Sequence, residues 1–266
     1  MKIDINDDKV TITDENSTLM HAIRQTMMRD IEIWALTDGK MIVNQTTIED
    51  ETFLNNVAKL KINQQVLESL IKEPSDHEFA LKIESKESFR IVTSDDINSE
   101  IFTQKGIYLC TLQSGKKLHA KFKLVKSSKR DSQDTAFLTI SLMGQDVKST
   151  DKKRIYNVRT LETHNLKKIV SLASKKLYDD FKDMYEYMKK IKTDYNDGLL
   201  FASEKYDYVT VNALVSEILL IYPTIKFCSA SQDSPMANKI KMYIVDDGKN
   251  ELKVIKSAID SIIMRL

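Results

Sequence analysis

The side chains of this chain that could do chemistry are scattered rather than grouped. Its six glycines (Gly39, Gly106, Gly115, Gly144, Gly198, Gly248) stand far apart, so no glycine-rich loop can cradle a phosphate. The four histidines (His21, His77, His119, His164) never fall at metal-ligand spacing to a cysteine, an aspartate or one another. No Asp-x-Asp cluster suggests a magnesium site, and no nucleophile elbow arranges the serines. The chain is therefore read as non-catalytic, with no cofactor and no metal. The one tempting binding stretch is Lys116–Arg130, which carries seven lysines and arginines. It could grip a phosphate backbone. Yet His119, Lys121 and Lys123 alternate with Ala120, Phe122 and Leu124. That alternation favours a strand with one solvated face.

The elements that would carry such residues begin with Asn16–Leu36. Asn16, Ser17 or Thr18 can cap a helix, and Leu19, Met20, Ile23, Met27, Met28 and Ile31 give it an apolar face. After Asp30 the pattern becomes the apolar run of a buried strand. Tyr208–Ser229 repeats this design, with Ala22-Ile23 aligned on Ala213-Leu214 and Met27-Met28 on Ile218-Leu219. Each copy is followed at a distance by another amphipathic helix, Leu166–Ile191 and Leu252–Ile263. Two ordinary amphipathic helices matched by chance would give the same pattern.

Between the copies the chain is β-rich. Asp38-Gly39 has the wording of a hairpin turn, Asp50–Lys61 suits a short helix, and strands are expected at Phe79–Ile83, Phe89–Val92, Ile107–Leu112, Leu118–Val125 and Ala136–Ser141. Residues 1–13 alternate and read as an edge hairpin, and Thr193–Gly198 is polar and suits a linker. With 42% hydrophobic and 30% charged residues, the composition is that of a soluble globular protein, and a net charge of +1 gives no overall pull towards nucleic acid. Cys110 and Cys228 sit in apolar runs, which favours buried thiols in a reducing, intracellular compartment. No run approaches the roughly 20 apolar residues that cross a bilayer. The acidic, alternating N-terminus is not a secretion signal.

The order of these pieces resembles the assembly subunits of multisubunit RNA polymerases. These are the bacterial alpha N-terminal domain, the archaeal D and L subunits, and the third and eleventh subunits of eukaryotic polymerase II. His21-Ala22-Ile23-Arg24-Gln25 is similar to the family's N-A-L-R-R helix core, and Asn44–Glu51 to its N-x-S-x-x-x-D-E element. Gly115–Leu118 is similar to its G-Q-x-L strand, and Tyr156–Thr163 with Leu166–Ile191 to its returning strand and helix. Tyr208–Leu214 and Pro223–Ser229, ending at Ser234-Pro235-Met236, are similar to the helix start and strand of the smaller partner. The departures are Gln25 for the second arginine, Asn55-Asn56 for His-Arg, Lys61 for a proline and Ser234 for a histidine, with no cysteine-rich insertion.

The resemblance implies an α+β fold with two alpha-N-terminal-domain-like dimerisation units in one chain, forming a pseudo-twofold pair. The first would span 1–51 and 151–193 and be interrupted by a β-rich insert at 52–150. A linker at 194–198 would lead to the smaller unit at 199–266. Leu19, Ile23, Met27, Met28, Leu214, Ile218 and Leu219 would form the intramolecular seam. Arg24, on the exposed side of the first helix, with Gln25, Asn44 and Glu51, would meet partner subunits. The implied role is a non-catalytic assembly scaffold for DNA-directed RNA polymerase. Its partners would be the second-largest and largest subunits and small accessory subunits, touching DNA only through the complex and no membrane. Fusion of both partners is a pattern of nucleocytoplasmic large DNA viruses, which would place it in the host cytoplasm and the virion. A DNA sliding clamp is the alternative, since length, duplication and the basic stretch also fit one. Its usual closing strand contrasts with the amphipathic last segment here.

Overall fold

The computed structural model describes residues 1–70, 78–86, 88–98, 100–132, 135–161, 165–195, 197–234, 239–246, 248 and 250–266. His77, His164, the turn formers Pro74-Ser75-Asp76, Glu162-Thr163 and Pro235-Met236 lie outside the described residues. In chain order the elements are β1 (Lys2–Asn6), β2 (Lys9–Thr13), α1 (Ser17–Arg29), β3 (Ile33–Asn44), α2 (Asp50–Ala58) and α3 (Gln64–Leu70). Then come β4 (Glu78–Glu84), β5 (Phe89–Thr93), the single turn α4 (Asp95–Asn98), β6 (Tyr108–Gln113), β7 (Lys117–Ser127) and the turn α5 (Lys129–Ser132). The chain continues with β8 (Ile140–Gln145), β9 (Lys153–Thr160), α6 (Leu166–Ile191), β10 (Lys192–Tyr195), β11 (Gly198–Ser203), α7 (Tyr208–Ile221), β12 (Phe227–Gln232), β13 (Ile240–Val245) and α8 (Glu251–Arg265). The fold is mixed α+β, and every ladder with a resolved register is antiparallel. Among the described residues no helix is long and apolar enough to cross a membrane.

Two compact units divide the chain. The first comprises Met1–Met27, Leu142–Val158 and Val170–Leu266. It holds two four-stranded sheets, in the orders β1-β2-β9-β8 and β10-β11-β13-β12. The β1–β2 hairpin turns at Asp7 in the left-handed region, φ 48°. Apolar positions three and four apart on α6 (Ala173, Leu177, Phe181, Met184, Met188) are buried while its lysines and acids stay out, as an amphipathic helix requires. Burying each of the larger ones contributes about 1.5–3 kcal/mol. The expected linker is not seen in its described residues: Asp194 and Tyr195 belong to β10, which follows α6 directly and pairs with β11, Tyr195 opposite Gly198, while Asn196 lies outside the described residues. Residues 199–266 are accordingly part of this unit rather than a body of their own.

The second unit comprises Met28–Ser141 and Arg159–Ile169, so it begins before residue 52 and takes in β3, Asn44 and Glu51. The reason is the length of β7, which pairs with β3 along most of both strands and with β4 on its other side. Asp38-Gly39 is not a hairpin turn. It is a bulge in β3: Thr37 pairs with Lys123 and Lys40 with Lys121, leaving Asp38 and Gly39 together opposite Phe122. Asp38 takes the left-handed conformation the bulge needs, φ 47°. Leu118, Ala120, Phe122 and Leu124 point from β7 into a core shared with Phe53 and Val57 of α2 and Leu81 of β4. The strand expected at Ala136–Ser141 starts later, at Ile140, after a 3-10 turn over Thr135–Phe137.

Both cysteines are free and buried. Burial pushes the Cys110 thiol up to about 11, with Asp96 adding to it, and the Cys228 thiol up to about 12. Gly198 sits where a Cβ would overlap the Ile244 carbonyl oxygen and come within 2.8 Å of Val245 Cγ2. Because backbone is in the way, Gly198→Ala is expected to cost about 2 kcal/mol, read as a lower urea midpoint at unchanged slope.

Candidate functional site: a buried polar seam

The N-terminal end of α1 and the middle of α7 are joined by a polar network centred on the buried Asp14, Asn16 and Glu217. Asn16 caps α1, its Oδ1 accepting the backbone N–H groups of Thr18 (3.1 Å) and Leu19 (2.9 Å). Its Nδ2 donates to the Ala213 carbonyl and to Glu217 Oε2, both at 3.0 Å. All four hydrogen-bonding positions of the amide are thus used, which is how a side chain only 1% exposed is tolerated. Asp14 Oδ1 accepts the Asn16 N–H at 2.8 Å and Arg265 Nη1 at 2.6 Å. The other arm of Arg265 pairs with Glu217, whose Oε1 accepts the Ser261 hydroxyl at 2.8 Å. Thr18 and Ser216 share a hydroxyl–hydroxyl bond of 2.8 Å.

The register that aligns Ala22 with Ala213 also aligns the cap Asn16 with Asp207, the residue that caps α7 by accepting the Thr210 N–H at 2.7 Å. On α1, burial and the charges of Arg24 and Arg154 lower the pKa of His21, with Asp207 opposing them.

Of the residues expected in the seam, Leu19, Ile23, Met27, Leu214 and Ile218 are fully buried in the first unit. Two depart from expectation. Leu219 is 45% exposed, and Met28 is half-buried and belongs to the second unit. Helix α7 is apolar on nearly every side, so periodicity could not identify its inner face. The one acid in that helix, Glu217, is the inward residue. A lone carboxylate in such a run is itself the signal, because it is buried only with partners. Asp14, Ser261 and Arg265 carried no comparable signal.

The residues expected to meet partners lie apart. Arg24 is half-buried rather than exposed, its Nη2 donating to the Met143 carbonyl at 3.1 Å and its guanidinium lying 5.9 Å from the Tyr156 ring centroid. Gln25 is half-buried, 3.4 Å from His21 Nε2. In the second unit Asn44 ties its own loop, donating to Ile48 O and Asp50 Oδ1 and accepting from Thr46. Glu51 is exposed in the first turn of α2. The basic stretch has its solvated face outward, but matched by acids: Lys117 pairs with Glu84, Lys121 and Lys123 with Glu78, Lys126 with Glu32 and Arg130 with Asp30. Among the described residues no three His, Cys, Asp or Glu side chains form a metal-binding group.

No protein-family model and no curated protein matches this chain.

A double-mutant cycle on Asn16→Ala and Glu217→Ala should show a coupling energy of about 1 kcal/mol or more. Glu217→Ala alone should cost about 3 kcal/mol, because Arg265 and Asn16 lose their buried partner. Additive losses in urea unfolding would mean that the two residues do not interact. Because burial lowers the pKa of His21, the fold takes up its proton less readily than the unfolded chain, so this contribution is present above the unfolded value of 6.5 and is lost as pH falls below it. His21→Gln should flatten the dependence of the thermal midpoint on pH between about 7 and 5.

Proposed function

We propose that this chain is a non-catalytic scaffold subunit of a DNA-directed RNA polymerase. In this reading two alpha-like halves, fused in one chain, pair with each other and dock the second-largest catalytic subunit. The observation that carries the proposal is the buried network in which Asn16, the cap of α1, meets Ala213 and Glu217 of α7. Polar groups this well buried fix one register of association, which a platform for larger partners needs. Fusion makes the pairing intramolecular, at an effective concentration on the order of millimolar. Through the resemblance, the largest subunit and small accessory subunits are further partners, and DNA is reached only through the complex.

Arg24 already binds its own unit, so Arg24→Glu would disturb folding as well as docking. Glu51 is the cleaner probe. Glu51→Lys should leave the thermal midpoint within about 2 °C of the parent and lower recovery of the second-largest subunit. Affinity purification of the tagged chain at moderate salt, with partners identified by mass, tests the whole reading. Two very large polymerase subunits in equal amounts are expected. A chain recovered alone, or as a ring loaded on circular DNA, overturns it.

A further inference from the structure

We propose that the free edge of β5, in the second unit, docks an extended peptide strand from another protein. β5 and β6 form a ladder of two strands only. One face of the ladder closes the core with Val92, Cys110 and Leu112, all fully buried. The other face carries Phe89 and Ile91, 58% and 54% exposed, beside their cross-strand partners Gln113 and Thr111. Tyr108, 57% exposed, joins that face, its hydroxyl 3.2 Å from Thr111 Oγ1. None of these five side chains is charged. The backbone of the same strand is open as well. The Ser114 N–H donates to Ser88 O at 3.1 Å, one step beyond the Phe89–Gln113 pair. Hydrogen-bonded and non-hydrogen-bonded pairs alternate along an antiparallel ladder. Arg90 and Val92 therefore bond to β6, while Phe89 and Ile91 turn their N–H and C=O groups outward. Among the described residues nothing bonds to those outward groups. The open edge stops at Thr93, where the ladder is bulged and Asp96 Oδ2 accepts the Thr93 N–H at 2.9 Å.

Open edges are usually blunted by charge, proline or a bulge. The edge strand β4 exposes Glu78, Lys82 and Glu84, and the edge strand β10 exposes Lys192 and Asp194. On β5 the only charge is Arg90, which lies on the face opposite Phe89 and Ile91 and pairs with Asp96 at 2.7 Å. The open segment thus offers two backbone donors, two acceptors and two apolar side chains, all from the same two residues. A strand satisfies both sets at once, main chain to main chain and side chain beside side chain. A helix or a flat apolar surface would cover the backbone groups without bonding them. A second copy fits poorly. Antiparallel self-pairing that sets Phe89 against Ile91 is centred on Arg90 and puts two arginines directly opposite each other, which is unfavourable. Centring it on Ile91 instead sets Phe89 against Thr93, whose N–H Asp96 already holds. The occupant is therefore an extended, uncharged segment of a different protein with apolar residues at every second position. The site does not depend on the assembly role.

The full chain would be titrated by anisotropy with a fluorescein-labelled peptide of alternating threonine and valine, and with the same peptide N-methylated at every valine. Methylation removes the donors on the peptide edge whose side chains would lie beside Phe89 and Ile91. Ile91→Pro deletes an outward N–H and no bond to β6. Phe89→Lys changes the face alone, in case proline unsettles the ladder. Ile42→Thr, at another exposed apolar position of the same unit, is the control, and circular dichroism confirms that each variant is folded. Saturable binding supports the site if it weakens at least about tenfold on methylation and in both edge variants, and is unchanged in the control. Slower hydrogen exchange at the Phe89 and Ile91 amides with peptide bound supports it too. No saturable binding, or equal binding of the methylated peptide, overturns the proposal. So does a dimer in sedimentation that Ile91→Pro dissociates, which would give the edge to a second copy.

Discussion

Burial of Glu217 is the constraint on which the first unit depends. A carboxylate 3% exposed must be met by donors, and here three side chains supply them: Asn16 before α1, and Ser261 and Arg265 near the end of α8. Asp14 then holds Arg265 from the other side. Sliding α7 along α1 by one turn would strand the carboxylate and the Asn16 amide together, at a cost comparable to a large part of a domain's stability. The apolar residues around the network, Leu19, Ile23, Leu214 and Ile218, supply burial in any register. The polar ones select a single register.

The second unit is organised by a different device. β7 is long enough to pair on both sides, and its alternation sends Leu118, Ala120, Phe122 and Leu124 inward and the lysines outward. The acids of β4 and the approach to β3 match most of that outward charge. Such exposed pairs add little stability, but they remove the field a nucleic acid would feel.

Direct passage from α6 into β10 also bears on how the first unit is assembled. The strand that opens the second sheet follows the helix without a spacer. That connection limits the arrangements the repeats can sample, beyond what a flexible tether would do.

Much of the local structure was legible in the sequence because it depends on period and capping. The helices α1, α2, α6, α7 and α8 and most strands between α1 and α6 follow from apolar spacing and from cap residues such as Asn16. The inner face of α7 was not legible, since a helix apolar on all sides has no preferred direction until a partner is present. Asp38-Gly39 has the same wording in a hairpin and in a bulge, and only pairing with a long β7 distinguishes them. The network of Asp14, Asn16, Glu217, Ser261 and Arg265 joins residues about two hundred positions apart, as in the Asn16–Glu217 bond. Sequence alone established which residues can be buried and in what local conformation. Tertiary structure decided which polar groups are buried together, because that energy arises only when distant segments exclude water from the same place.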